Sequence, residues 1–176
     1  MKKIIFVIDM LNGFCKIGNL SSIYIDKLVP KIRNFLLDNK NEEIIFMNDW
    51  HSINDIELKT YCQHCLKNTD EVEIVDDLKE FAKNIVYKNT TNSFWAFENK
   101  NFFDNYDNFE IIGCCTDICV LQFALTLKTY FNSKNQDKNI IVYSNLVDTF
   151  QTKNHNRKKF HKFALKLMKN SGIIIK

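Results

Sequence analysis

The stretch KIIFVID, residues 3–9, decides the architecture. Ile4 to Ile8 is apolar without a break, so neither side of this segment faces water, and it reads as a fully buried strand. Asp9 ends it. A carboxylate placed directly after such a strand is partly desolvated, which raises its pKa toward the range where it takes and returns protons. The same punctuation recurs downstream. Glu43 to Met47 (EIIFM) ends at Asn48-Asp49, Asn84 to Tyr87 ends at Lys88, and Phe109 to Gly113 ends at Cys114. Asn139 to Tyr143 reads as a fifth strand and Ile173 to Ile175 as a sixth.

Helical patterns lie between these runs. Asp26 to Leu37 carries Leu28, Val29, Ile32, Phe35 and Leu36 on one face, with Asp26 as N-cap and Pro30 in the first turn. Asp76 to Ala82 predicts a short helix, Asp117 to Phe131 a strong one, and Lys158 to Lys169 the last. Trp50 to Glu73 has no period and reads as a long functional loop. Apolar strands alternating with helices predict an α/β fold, three-layer α/β/α, around a mostly parallel sheet of five to six strands. Residues 1–176 read as one domain. Ligands of such sheets bind beyond the carboxyl ends of the strands, at a topological switch point.

Composition removes several function classes. Fifteen Phe, six Tyr and two Trp supply a core that a disordered chain lacks, and four Gly with one Pro exclude collagen-like folds. No apolar run approaches the ~20 residues of a membrane helix. The first apolar stretch breaks at Asp9, unlike a signal peptide, so a cytoplasmic location is expected. A net charge of +3 gives no argument for nucleic acid. The basic run from Lys153 to Lys162 reads as a solvated helix face. An aromatic-rich surface leaves room for a homo-oligomer. The six cysteines read as thiols, not disulfides.

Three scattered residues form a candidate catalytic set. Cys119 lies in GCCTDICV (113–120), where a strand gives way to a helix. The helix dipole there favours thiolate, and free backbone N–H groups can receive an oxyanion. Asp9 supplies a base and Lys88 a cation that favours the ion forms of both partners. A second constellation is Asp49-Trp50-His51 followed by His64. Asp and His at i and i+2 on an extended segment point to one side, and a second imidazole closes a three-ligand site suited to zinc, iron or manganese. Cys62-Gln63-His64-Cys65 offers a rival reading as a redox pair or half a zinc knuckle. No second CxxC follows, and the pair sits mid-loop.

With these residues in hand, the chain resembles the isochorismatase-like cysteine hydrolases, and within them the nicotinamidase/pyrazinamidase branch. The resemblance rests on IIFVIDMLNGFC (4–15), NDWH (48–51), HCLKNT (64–69), Lys88 and GCCTDICV (113–120), in that order. It implies a Rossmann-type fold and a catalytic triad of Asp9, Lys88 and Cys119. It also implies a cis peptide between Cys114 and Cys115, with the N–H groups of Cys115 and Cys119 as oxyanion hole. Asp49, His51 and His64 would hold one divalent metal ion, zinc ahead of iron or manganese. Phe14, Tyr61 and Trp95 would wall the substrate ring. The implied reaction is hydrolysis of nicotinamide to nicotinate and ammonia, a step of NAD salvage. Another small amide or ureido substrate, or a non-catalytic binding relative, stays open. Leu11 and Gly13 stand where many relatives have Gln and Asp, and no histidine lies between His51 and His64, where some relatives have an extra ligand.

Overall fold

The computed structural model describes residues 1–176. Six parallel strands form one sheet: β1 (Lys3–Ile8), β2 (Glu43–Asp49), β3 (Asn84–Lys88), β4 (Asn108–Cys114), β5 (Asn139–Asp148) and β6 (Ile174–Ile175). Their spatial order is β3-β2-β1-β4-β5-β6. The chain builds outward from β1 in one direction, then returns to its other side with β4. The switch point therefore lies between β1 and β4, where a parallel sheet opens a crevice at its carboxyl edge.

Alternation along β1 divides the core in two. Ile4, Phe6 and Ile8 face one layer, and Ile5 and Val7 face the other. Helix α1 (Val29–Asp38) packs on the Ile5/Val7 side through Val29, Ile32 and Leu36. On the opposite side lie α2 (Leu121–Ser133), through Phe123, Leu127 and Phe131, and α3 (Arg157–Asn170), through Ala164 and Met168. The three-layer α/β/α arrangement follows the sequence expectation.

The β3–β4 connection contains no α-helix. Its short 3₁₀ turns, Ser93–Ala96 and Lys100–Asn105, cover the sheet with aromatic rings instead. Phe94 and Phe103 stack at 5.4 Å between centroids, and Phe6 meets Phe123 edge-on at 5.1 Å. Much of the phenylalanine content is spent here, because large flat side chains bury area that a helix would otherwise supply.

The first helix and the fifth strand have boundaries that differ from expectation. The first long helix starts at Val29, not Asp26, which instead ends a separate turn, Ile23–Asp26. The Asp26 carbonyl would need an N–H from residue 30, and Pro30 has none. β5 continues to Asp148, five residues beyond Tyr143, past a register shift between the Ile111 and Gly113 pairs. That extension delivers the segment after Asp148 to the carboxyl edge.

Gly113 permits the close approach of β4 to β1. Its φ is +111°, and a Cβ there would overlap the backbone of Ile8. Gly113→Ala is expected to cost at least ~2 kcal/mol, lowering Tm by roughly 5 °C or more. A melting curve within ~1 °C of the parent would contradict this account of the β1–β4 junction.

Candidate active site

Four adjacent strands each deliver one group to the crevice. Asp9 follows β1, Asp49 ends β2, Lys88 ends β3, and Cys119 follows β4. Strand register aligns them: Ile8 pairs with Met47, and Asp49 pairs with Lys88. All four side chains are buried.

Lys88 is the hub. Its Nζ lies 2.9 Å from Asp9 Oδ2 and 4.0 Å from Cys119 Sγ, and it also pairs with Asp49. Asp9 Oδ1 accepts the Asp49 N–H at 2.9 Å, and its buried Oδ2 has no hydrogen-bond partner beyond the Lys88 ion pair. Asp9 has φ +52°, a left-handed backbone conformation directly after β1. The three residues scattered through the sequence thus meet in one buried cluster.

Burial dominates the electrostatics. Desolvation, helped by the neighbouring Asp49 carboxylate and opposed by Lys88, pushes the Asp9 carboxyl up to about 7. Burial works against the Lys88 charge, but Asp49 and Asp9 outweigh it and raise Lys88 well above its ordinary value. Asp49 would also rise on burial. Lys88 and the two imidazoles reverse that and hold it far below the carboxylate range.

The expectation that helix dipole and lysine keep Cys119 as thiolate is corrected. Burial pushes the thiol well above its ordinary value, and the Lys88 charge offsets only part of that. The resting group is therefore the thiol. The helix start differs too. Thr116–Val120 forms one π-helical turn before α2, with the Cys115 carbonyl accepting both the Ile118 and Val120 N–H groups at 3.1 Å. The peptide between Cys114 and Cys115 is cis, as the resemblance implied.

Beside the triad, Asp49, His51 and His64 cluster with their ligand atoms within 4.8 Å of one another. Asp49 Oδ2 lies 3.4 Å from His64 Nε2, and Oδ1 lies 3.8 Å from His51 Nε2. The far ring nitrogens are held in place. His51 Nδ1 meets Asp55 Oδ2 at 3.2 Å, and His64 Nδ1 donates to the Cys62 carbonyl at 2.7 Å. Both Nε2 atoms are thereby aimed at the shared space. His51 Nε2 is buried and has no hydrogen-bond partner, so the donor set fits a divalent cation.

The long loop makes this cluster by folding back. His51 N–H donates to the Cys65 carbonyl, and Lys67 N–H to the His51 carbonyl, both at 2.9 Å. Gly13 lies against this fold. A Cβ there would sit 2.8 Å from Cys65 Sγ and 3.1 Å from the Glu71 carbonyl oxygen. Cys62 is exposed, Cys65 is buried, and all six thiols are free, so the CxxC forms no disulfide.

Phe14 and Tyr61 line the cavity that contains Cys119, Cys115, Asp49 and His64. Trp95 does not. It is 65% exposed and borders a neighbouring cavity with Trp50 and Tyr87, because the turn at Ser93–Ala96 directs Phe94 inward and Trp95 out. Five cavity residues escaped the sequence reading: Leu20, Glu57, Thr91, Ile118 and Phe150. Glu57 Oε2 accepts the Thr91 N–H at 2.8 Å, and its buried Oε1 lies unpartnered 3.9 Å from His51 Nε2. It stands in an aperiodic loop, where no spacing marks an inward-facing acid.

Comparison with known proteins gives a consistent result. The family model for the isochorismatase domain matches residues 3–175. Nicotinamidase 1 of Arabidopsis thaliana is 28% identical over 173 residues, spanning 85% of this chain and 70% of the relative. Among solved structures, pyrazinamidase of Pyrococcus horikoshii in complex with zinc superposes with a TM-score of 0.77 at 24% identity, covering 100% of this chain and 99% of that one. An isochorismatase-like hydrolase from Alkaliphilus metalliredigens gives 0.79 at 19% identity, covering 99% and 94%. These structures share the fold, and the family match extends over almost every residue that builds the crevice. The chain belongs to the isochorismatase family.

Proposed function

We propose that this protein is a cysteine-dependent amidohydrolase, a nicotinamidase that converts nicotinamide to nicotinate and ammonia. The observation that carries this reading is the convergence of Cys119, Asp9 and Lys88 beside a buried Asp-His-His cluster. The similarity to a plant nicotinamidase supports the choice of substrate. Residues 1–176 act as one catalytic unit in this reading.

The mechanism follows from the protonation states. Asp9, poised at about 7, takes the Cys119 proton as Sγ attacks the carboxamide carbon. The N–H groups of Cys115 and Cys119 receive the oxyanion. Asp9 then gives its proton to the departing nitrogen. The C–N bond breaks, ammonia leaves, and a thioester remains. Water next loses a proton to Asp9 and attacks the thioester, the C–S bond breaks, and the Cys119 sulfur recovers the proton as nicotinate leaves. Lys88 stays charged throughout and holds both partners. No histidine transfers a proton.

Asp49, His51 and His64 would hold one divalent ion, zinc first, with Glu57 near enough to join them. When bound, such an ion supplies a Lewis acid that anchors a lone pair on the substrate ring. Phe14 and Tyr61 flank that space.

Cys119→Ala is expected to reduce ammonia release from nicotinamide by at least ~10³-fold. Appreciable turnover in that variant would end the thioester scheme. Elemental analysis should find about one zinc, iron or manganese per chain. Asp55→Ala, which frees the His51 ring, should weaken metal affinity by roughly 10–100-fold, read by competition with a chelator. Undiminished affinity would show that Asp55 does not orient a ligand.

A further inference from the structure

The segment after β5 is the part of the cavity that the mechanism leaves unused. Phe150 lines the same pocket as Cys119 and is half-buried against the core layer on the Ile5/Val7 side of the sheet. Its ring stacks on His155, with centroids 3.9 Å apart and planes at 15°. The other face of His155 stacks on Phe160 of α3, at 4.1 Å and 25°. His155 is thus the middle layer of a three-ring pile whose outermost ring borders the cavity.

The imidazole is also tied by both nitrogens. Nδ1 meets the Phe150 carbonyl at 3.0 Å, and Nε2 meets Asp117 Oδ2 at 2.7 Å. Asp117 lies in the π-turn, two residues before Cys119. The loop is closed at its base, where Arg157 donates to Asp148 at 2.5 Å, and it is tightened by reciprocal Thr152–His155 backbone bonds of 3.0 and 3.3 Å. A second link joins His161 of α3 to Thr116 at 2.9 Å. A pocket wall on a loop normally moves with the loop. This wall is instead referenced to the turn that carries the nucleophile.

We propose that Phe150 is a substrate-contacting wall selective for a flat aromatic amide, and that His155 is the positioning residue that fixes this wall against the nucleophile turn. The inference rests on the amidohydrolase reading of the pocket and deepens it. An aromatic face rewards a planar ring through offset or edge-on packing and gives little to an aliphatic amide. Stacking between two rings also restrains Phe150 before substrate arrives, so less ordering is left to binding.

The test measures nicotinamide affinity by calorimetry in a Cys119→Ala background, beside KM and kcat in the protein with Cys119 intact. Phe150→Ala should weaken nicotinamide binding about tenfold, raising KM far more than it lowers kcat. Phe150→Tyr should restore affinity. His155→Ala should weaken binding in the same direction, and the double variant should be no worse than Phe150→Ala alone, because His155 acts through Phe150. His155→Phe keeps the ring pile and should bind nearly as the parent does. Phe150→Leu carries the test if the alanine variant melts early.

Nicotinamide affinity unchanged in Phe150→Ala, or additive losses in the double variant, would overturn the proposal. The outcomes also separate the two readings. Phe150-dependent binding without ammonia release would sink the reaction and keep the wall. Ammonia release with Phe150-independent affinity would sink the wall and keep the reaction. Failure to bind nicotinamide at all would overturn the wall, and an acetamide assay would still read the chemistry.

Discussion

One buried ammonium group holds the site together. Lys88 faces Asp9, Asp49 and Cys119 at once, with almost no access to water. Two carboxylates buried side by side repel strongly, and a lone buried cation is equally unfavourable. Together they compensate one another. The result is uneven: Asp49 stays ionised, while Asp9 is left near neutrality, free to move protons. The acid-base group and the cluster suited to a cation are therefore electrostatically linked, since Lys88 and Asp49 belong to both. Removing Lys88 would leave two buried anions facing each other, a change to the whole centre and not to one contact.

The fold makes this compensation possible by geometry alone. Parallel strands end at one edge, and adjacent ends lie ~5 Å apart. Residues distant in sequence become neighbours if each directly follows a strand. Asp9, Asp49 and Lys88 end three successive neighbours in the sheet, and the switch between β1 and β4 opens the gap that Cys119 enters. The close β1–β4 contact at Gly113 narrows that gap. The cis peptide and π-turn after it set where Cys119 begins the helix.

The cavity is completed by segments without regular structure. The folded-back loop from His51 to Cys65 brings His64 to Asp49, and the segment after β5 brings Phe150 to the other side. Both are held by polar ties to side chains and backbone rather than by a strand ladder. Asp55 and the Cys62 carbonyl orient the imidazoles; Asp117 and Phe160 restrain His155. Irregular backbone held in this way combines access for a ligand with a fixed geometry.

Much of this was legible without coordinates, for a definite reason. A strand buried on both faces must be apolar throughout, so KIIFVI and EIIFM announce themselves, and the polar residue that ends each run marks the sheet edge. Asp9, Asp49 and Lys88 stand out by that rule, Cys119 by its place where a strand gives way to a helix, and His51 and His64 by their chemistry and spacing. What lay beyond reach depended on side-chain direction in aperiodic chain. Trp95 looked like a pocket wall and faces solvent, while Glu57 and Phe150 looked ordinary and face the cavity. The resting thiol was equally hidden, because it reflects the balance between burial and one nearby charge. Periodicity encodes which face of a strand or helix is buried; in a loop only the packed neighbours decide where a side chain turns, and they come together from the entire chain.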